Sequence, residues 1–143
     1  MFKIREATSE DALRICEINK YTFGYEYPLE KTASRLVYLL QSHSDKLFVA
    51  YKEDLVIGYI HGSDYNCTYS DPLKNIMAIA VDEEYRGLGA GRLLLDALEQ
   101  WAGEDGCVGV RLVSGMNREG AHKFYLHCGY ALRKEQKNFI KIF

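Results

Sequence analysis

The chain predicts a mixed α/β domain with a central, mostly antiparallel sheet and flanking helices. Three observations carry this. Short runs of alternating or continuous apolar residues recur along the chain. Two of them meet at a two-residue turn, which makes a hairpin. Between a third such run and a long helical one stands "RGLGAG", residues 86–91, with glycines at 87, 89 and 91.

In order, "MFKIREA" alternates and opens as a strand. Thr8 with Asp11 three residues later has the form of a helix capping box. Ala12, Ile15, Cys16 and Ile18 then fit one helix face. After the aromatic stretch "YTFGYEYPLE", Leu36, Val37, Leu39 and Leu40 mark a second helix. "KLFVAYKEDLVIGYIHGSDY" reads as two strands joined at Glu53-Asp54. "DPLKNIMAIAVD" is a strand suited to burial on both faces. The glycine-led helix follows, with Leu94, Leu98 and Trp101 on one face. "GCVGVRLVSG" is another buried-type strand, and "NREGAHKFYLHCGY" is a short helix that Gly129 can end in a left-handed conformation. Two closing strands are expected, the last over "KNFIKIF". The predicted order is β α α β β β α β α β β, in one domain spanning residues 1–143.

Composition narrows the function. A net charge of −2 gives no basic field for nucleic acid. No apolar run approaches the ~20 residues of a membrane span. Cys16, Cys67, Cys107 and Cys128 are scattered without a CxxC pair, which argues against zinc or a disulfide framework and for a reducing cytoplasm. The histidines lack metal-ligand spacing.

Three glycines at a helix start carry a propensity penalty of about 1 kcal/mol each where they are helical. The compensating role is chemical. First-turn amides lack partners inside the helix and, with the macrodipole, attract anions. Glycine lets a phosphate approach that backbone. Gly87, Leu88, Gly89, Ala90, Gly91 and Arg92 therefore form a candidate diphosphate cradle, with Arg86 and Arg92 adding charge at its ends; the alternative is a plain strand-to-helix turn. Two other cradles fail on spacing. GxGxxG would need glycine where Arg92 stands, and GxxxxGK[ST] is absent.

"RGLGAG" resembles the [QR]xxGx[GA] signature of the GNAT superfamily of N-acetyltransferases, through Arg86, Gly89 and Gly91. "IAVDEEYRG" resembles the strand and turn before that signature. "AHKFYLHCGY" resembles the later helix, with Ala121, Tyr125 and Gly129 at i, i+4 and i+8. Within the family, the "R..AH.FY" spacing looks closest to the small-amine subset that includes aminoalkylphosphonate N-acetyltransferases.

The resemblance implies that the strand ending at the signature splays from its parallel neighbour and that acetyl-CoA lies in the gap. Ile79, Ala80 and Val81 would pair with the pantetheine arm, and the amides from Gly87 to Arg92 would hold the pyrophosphate. Tyr125 would donate to the departing thiolate, its bland alternative being core packing beside Phe124 and Tyr130. Asn117 and Arg118 are further candidates on the cofactor side. Asn117 suits a helix cap, and Arg118 suits either the phosphates or a solvated helix face.

The strand positions where many relatives carry a basic carboxylate hold Asn75, Met77 and Ala78. Asp64, Asp71 and Glu26 are substitutes by composition only, so the base stays unassigned. Tyr21, Phe23, Tyr25, Tyr27, Tyr65 and Tyr69 accompany these acids, a combination suited to a cationic amine; packing is the other reading of the rings. The expected activity is acetyl transfer to a primary amine of a small molecule or a protein, in a ternary complex. The alternatives are a CoA-binding module without catalysis and a different nucleotide-binding domain. An alternating "KNFIKIF" could also pair with a second copy, giving a homodimer.

Overall fold

A computed structural model describes residues 1–143. The chain forms two compact units, Met1–Leu112 and Val113–Phe143. The first holds β1 (Lys3–Glu6), α1 (Ala12–Phe23), α2 (Leu29–Gln41), β2 (Asp45–Lys52), β3 (Leu55–Tyr65), β4 (Leu73–Val81), α3 (Ala90–Glu104) and β5 (Gly109–Leu112). The second holds α4 (Glu119–His127).

The five strands form one sheet in chain order, β1-β2-β3-β4-β5. The first four are antiparallel, and β5 runs parallel to β4. The turn before α1 is the expected capping box. Thr8 Oγ1 accepts from Glu10 N at 3.3 Å, and Asp11 Oδ2 accepts from Thr8 N at 2.8 Å. Arg5 adds a bidentate pair to the same carboxylate, tying β1 to the helix start. Gly24 ends α1 at φ 76°.

Side chains alternate across a strand, so β3 serves two layers. Tyr59 joins Ile15, Ile18, Leu36, Leu47 and Val49 in the core under α1 and α2. On the other face α3 presses Leu94, Leu98 and Trp101 against Gly58 and Gly62. A Cβ at Gly62 would run into Leu98 Cδ1, so glycine is what allows α3 its close approach. Lys74 of β4 is 2% exposed. Its ammonium meets Asp64 at 2.5 Å and Asp105 at 2.6 Å and lies 3.9 Å from the Trp101 ring centroid.

On α2, Leu36 is buried, Leu39 is half-buried, and Val37 and Leu40 reach solvent. One expectation needs correction. The two closing strands are absent, and residues after Cys128 form no helix or strand. Alternation supplies strand propensity, but a strand exists only when a partner edge satisfies its backbone.

Candidate active site

The site begins with a defect in β4. Its pairing with β3 runs Ala78 to His61 and then Ile76 to Gly62, which leaves Met77 as an extra residue. Such a bulge bends its strand and increases the local twist. On the other edge β5 pairs with Leu73 to Ile76 and stops there. From Met77 onward that edge of β4 faces no strand. Ile79, Ala80 and Val81 lie along this open edge while pairing with Ile60, Tyr59 and Gly58 on the other. Half of their backbone groups are thereby left for another partner.

At the end of β4 the chain is clamped before it turns. Asp82 N donates to Ile57 O at 2.7 Å. Its carboxylate accepts from Glu84 N at 3.0 Å and from Arg14 Nη2 at 2.8 Å. Arg14 Nε in turn donates to Val56 O at 2.8 Å, so α1, β3 and β4 meet in one clasp. The hydrogen bond from Arg14 holds the Asp82 carboxyl below the usual carboxylate range, outweighing burial. Arg86 Nε donates back to Val81 O at 2.9 Å, and its Nη2 reaches Thr22 Oγ1 at 3.3 Å. Arg14 was silent in the sequence, since one arginine on a helix is ordinary. Asp82 carried a faint signal as an aspartate opening a turn.

The glycines then take the conformations that justify them. Gly87 has φ 77° and Gly89 has φ 96°, and a Cβ on either would meet nothing within 4 Å. The surface above them is open, and the constraint is backbone shape. Gly89 caps α3 with no side chain to satisfy the first-turn amides. Leu88 is exposed, Ala90 is buried and begins the helix, and Arg92 pairs with Asp96 at 3.1 Å on an exposed face. These residues suit a diphosphate: positively polarised amides, an open approach and cationic flanks.

Asn75 is engaged at both ends of its amide. Its Oδ1 accepts from Arg111 Nη1 at 2.5 Å, and its Nδ2 donates to Met77 Sδ at 3.1 Å. The Arg111 guanidinium lies 4.3 Å from the Tyr65 ring centroid. Asp64 is engaged by Lys74, whereas Glu26 and Asp71 are exposed. Tyr21, Tyr25, Tyr27 and Tyr69 are exposed too, so packing does not explain those four rings. Just before the Tyr21–Tyr27 stretch Asn19 Oδ1 accepts from Tyr59 OH of β3, and within it Thr22 Oγ1 accepts from Arg86 Nη2.

In the second unit Tyr125 is 9% exposed and packs with Phe124 and Tyr130 at centroid distances of 5.6 and 6.2 Å. Burial pushes its phenol above the ordinary value, opposed by Arg118. Asn117 does not cap α4. Arg118 holds the cap position without a side-chain bond, and His122 Nε2 instead meets Gly115 O at 2.8 Å. The cap moves one residue because the backbone turns helical only after Arg118. Gly129 has φ 92° and follows the last helical turn, as its position foretold.

Residues 12–130 match the Acetyltransferase (GNAT) family. The chain belongs to this family. An uncharacterized N-acetyltransferase of Methanocaldococcus jannaschii is 31% identical over 133 residues, spanning 92% of this chain and 79% of the relative. Among solved structures, aminoglycoside acetyltransferase AAC(6')-Iy, in complex with a CoA-linked bisubstrate analog, superposes with TM-score 0.87 at 18% identity over 99% of both chains. A metagenomic aminoglycoside acetyltransferase in complex with sisomicin gives 0.83 at 21% identity over 99% of this chain and 96% of its own. A structure described as a transcriptional regulator from Bacillus halodurans gives 0.88 at 19% identity over 99% of this chain and all of that one. At such identities the likeness speaks for the fold. The GNAT protein is thus an N-acetyltransferase that uses acetyl-CoA. No helix is long and apolar enough to cross a membrane.

Proposed function

We propose that this acetyltransferase acetylates the primary amine of a small cationic molecule, by direct transfer with both substrates bound. One observation carries the reading: β4 parts from β5 at the Met77 bulge, and its open edge leads into the glycine turn at 87–89. When bound, acetyl-CoA supplies an acetyl thioester. The amides from Gly87 to Arg92 hold its pyrophosphate, and the open edge at Ile79 to Val81 takes the pantetheine amides. Arg86 keeps the end of β4 and the turn in register through Val81 and adds positive charge.

The exposed rings of Tyr21, Tyr25 and Tyr27, with Glu26 among them, attract a cationic amine. Proximity does most of the work, since aligned reactants avoid much of the entropic barrier. Tyr125 donates a hydrogen bond to sulfur as negative charge develops there, and its raised pKa keeps the donor protonated at neutral pH. We assign the amine proton no side-chain base, since Asn75 is engaged by Arg111 and Met77.

The test is CoA release on a panel of aminoglycosides, polyamines, aminoalkylphosphonates, amino acids and peptide N-termini. Turnover is expected with a small cationic amine. Turnover only with peptides would move the acceptor to protein amines. A folded chain that binds CoA yet consumes no thioester would be a binding module.

A further inference from the structure

Arg111 is a half-buried cation with no counter-charge of its own. Its guanidinium makes no ion pair. Both of its side-chain contacts are neutral: Nη1 donates to Asn75 Oδ1 at 2.5 Å, and Cζ lies 4.3 Å from the Tyr65 ring centroid. Nε is closed to solvent and has no acceptor. Withdrawing a charge from water costs free energy unless an opposite charge meets it. Lys74, on the neighbouring strand, shows the usual solution, since it is buried between two carboxylates. Arg111 lacks that solution within the chain.

Its place in the sheet says what could supply the missing charge. Arg111 pairs with Asn75, one position before β5 stops and β4 opens. Tyr59 faces α1 and α2, and the two-residue period of β3 brings Tyr65 to the same face. Residues directly opposite each other share a face, so Asn75 joins Ser63 there and Arg111 joins Asn75. The connection from α1 to α2, with its exposed rings and Glu26, belongs to that side as well. The guanidinium and the ring-lined stretch therefore lie on one side of the sheet. Arg111 also stands beside the fork that leads to the proposed pantetheine edge.

We propose that the acceptor carries a carboxylate in addition to its amine, as a basic amino acid does, and that Arg111 binds this carboxylate. The inference deepens the acceptor reading above and rests on it. Nη2 makes no hydrogen bond, so a carboxylate oxygen there gains a charge-assisted one. Tyr65 and Asn75 fix the guanidinium before the acceptor arrives, which lowers the ordering cost of binding. A carboxylate fits better than a phosphate-like dianion, because no second cation contacts Asn75 or Tyr65. A diamino acid keeps the net positive charge proposed above. Its ammonium goes to the rings and Glu26, and its carboxylate goes to Arg111.

The experiment uses the full chain and the variant Arg111→Gln, with CoA release on pairs that differ only by the carboxylate: lysine with cadaverine, and ornithine with putrescine. Wild-type kcat/KM should favour the amino acid about tenfold or more, mainly through KM. In Arg111→Gln that ratio should fall to about one, the loss of one charge-assisted bond. A wild type that treats each pair alike, or prefers the diamine, overturns the proposal. So does a preference that survives in the variant, which would put the carboxylate elsewhere. The NMR signal of the Arg111 Nε–H group, followed in CoA-loaded wild type, gives a readout free of turnover. It should move with lysine and stay in place with cadaverine. If none of these amines is acetylated and the signal still moves with lysine alone, the failure belongs to the acetyl transfer proposed above and the carboxylate site is upheld. A signal indifferent to lysine overturns the proposal whatever the turnover. If the variant does not fold, the wild-type ratio and signal decide.

Discussion

At Gly89 the backbone turns left-handed beside a helix end that no side chain caps. A β-branched residue there is strained by the backbone alone, since a Cβ would meet no neighbour. Gly89→Val should therefore leave the fold intact and weaken acetyl-CoA binding about tenfold or more, some 1.4 kcal/mol. Calorimetric titration on the folded variant checks this, and unchanged affinity removes the pyrophosphate assignment. Tyr125 differs because its proposed contribution appears only as charge develops. Tyr125→Phe should lower kcat about a hundredfold and leave CoA affinity nearly unchanged. Its phenol pKa is raised, so the donor form persists as pH rises through the ordinary tyrosine value and is lost only above it. The wild-type pH–rate profile should show its alkaline limb there, and the Phe variant should lack that limb. A Phe variant with parental turnover makes Tyr125 a packing residue.

Between elements, contacts that look like packing are what shape the cleft. Gly62 admits α3 against β3 next to the bulge, so Gly62→Ala should cost about 1–3 kcal/mol by overpacking. Urea unfolding measures that loss, and a neutral result would mean that α3 shifts freely. The Arg14–Asp82 clasp holds α1 to the end of β4, just before the glycine turn. Asp82 titrates below its unfolded value, so its contribution is complete above that value, about 3.9, and is lost as pH falls through the lower folded one. Arg14→Leu should remove about 1.5–3 kcal/mol at neutral pH and flatten the acid limb of stability. Unfolding at a series of pH values checks it; an unchanged acid limb would mean the pair is solvated and idle.

For the whole molecule, the proposed binding of an anion by oriented amides and arginines has two readouts. CoA affinity should fall with rising ionic strength, because exposed charges are screened. CoA at a hundred times its dissociation constant should raise the unfolding free energy by about 2.7 kcal/mol, and Gly89→Val should blunt the rise. Differential scanning calorimetry in CoA, at low and high salt, tests both. Affinity indifferent to salt would point to another pocket.

Much of this was legible because it is local. The capping box at Thr8, the turn at Glu53-Asp54, the left-handed Gly129 and the glycine turn at Gly87 and Gly89 each depend on residues a few positions apart. Backbone sterics and unsatisfied helix amides are written at that range. The buried face of α3 was legible too, through its 3.6-residue period. What tertiary structure alone decided is whatever needs a partner distant in sequence. Met77 becomes a bulge only against His61 and Gly62, and β4 opens only because β5 stops at Leu112. Arg14 becomes a clasp only when Asp82 arrives beside it, 68 positions away. Asn75 is engaged only because Arg111 lies on the neighbouring strand. "KNFIKIF" has the alternation of a strand yet forms none within its own chain, since a pattern of side chains cannot provide the edge that a strand must pair with.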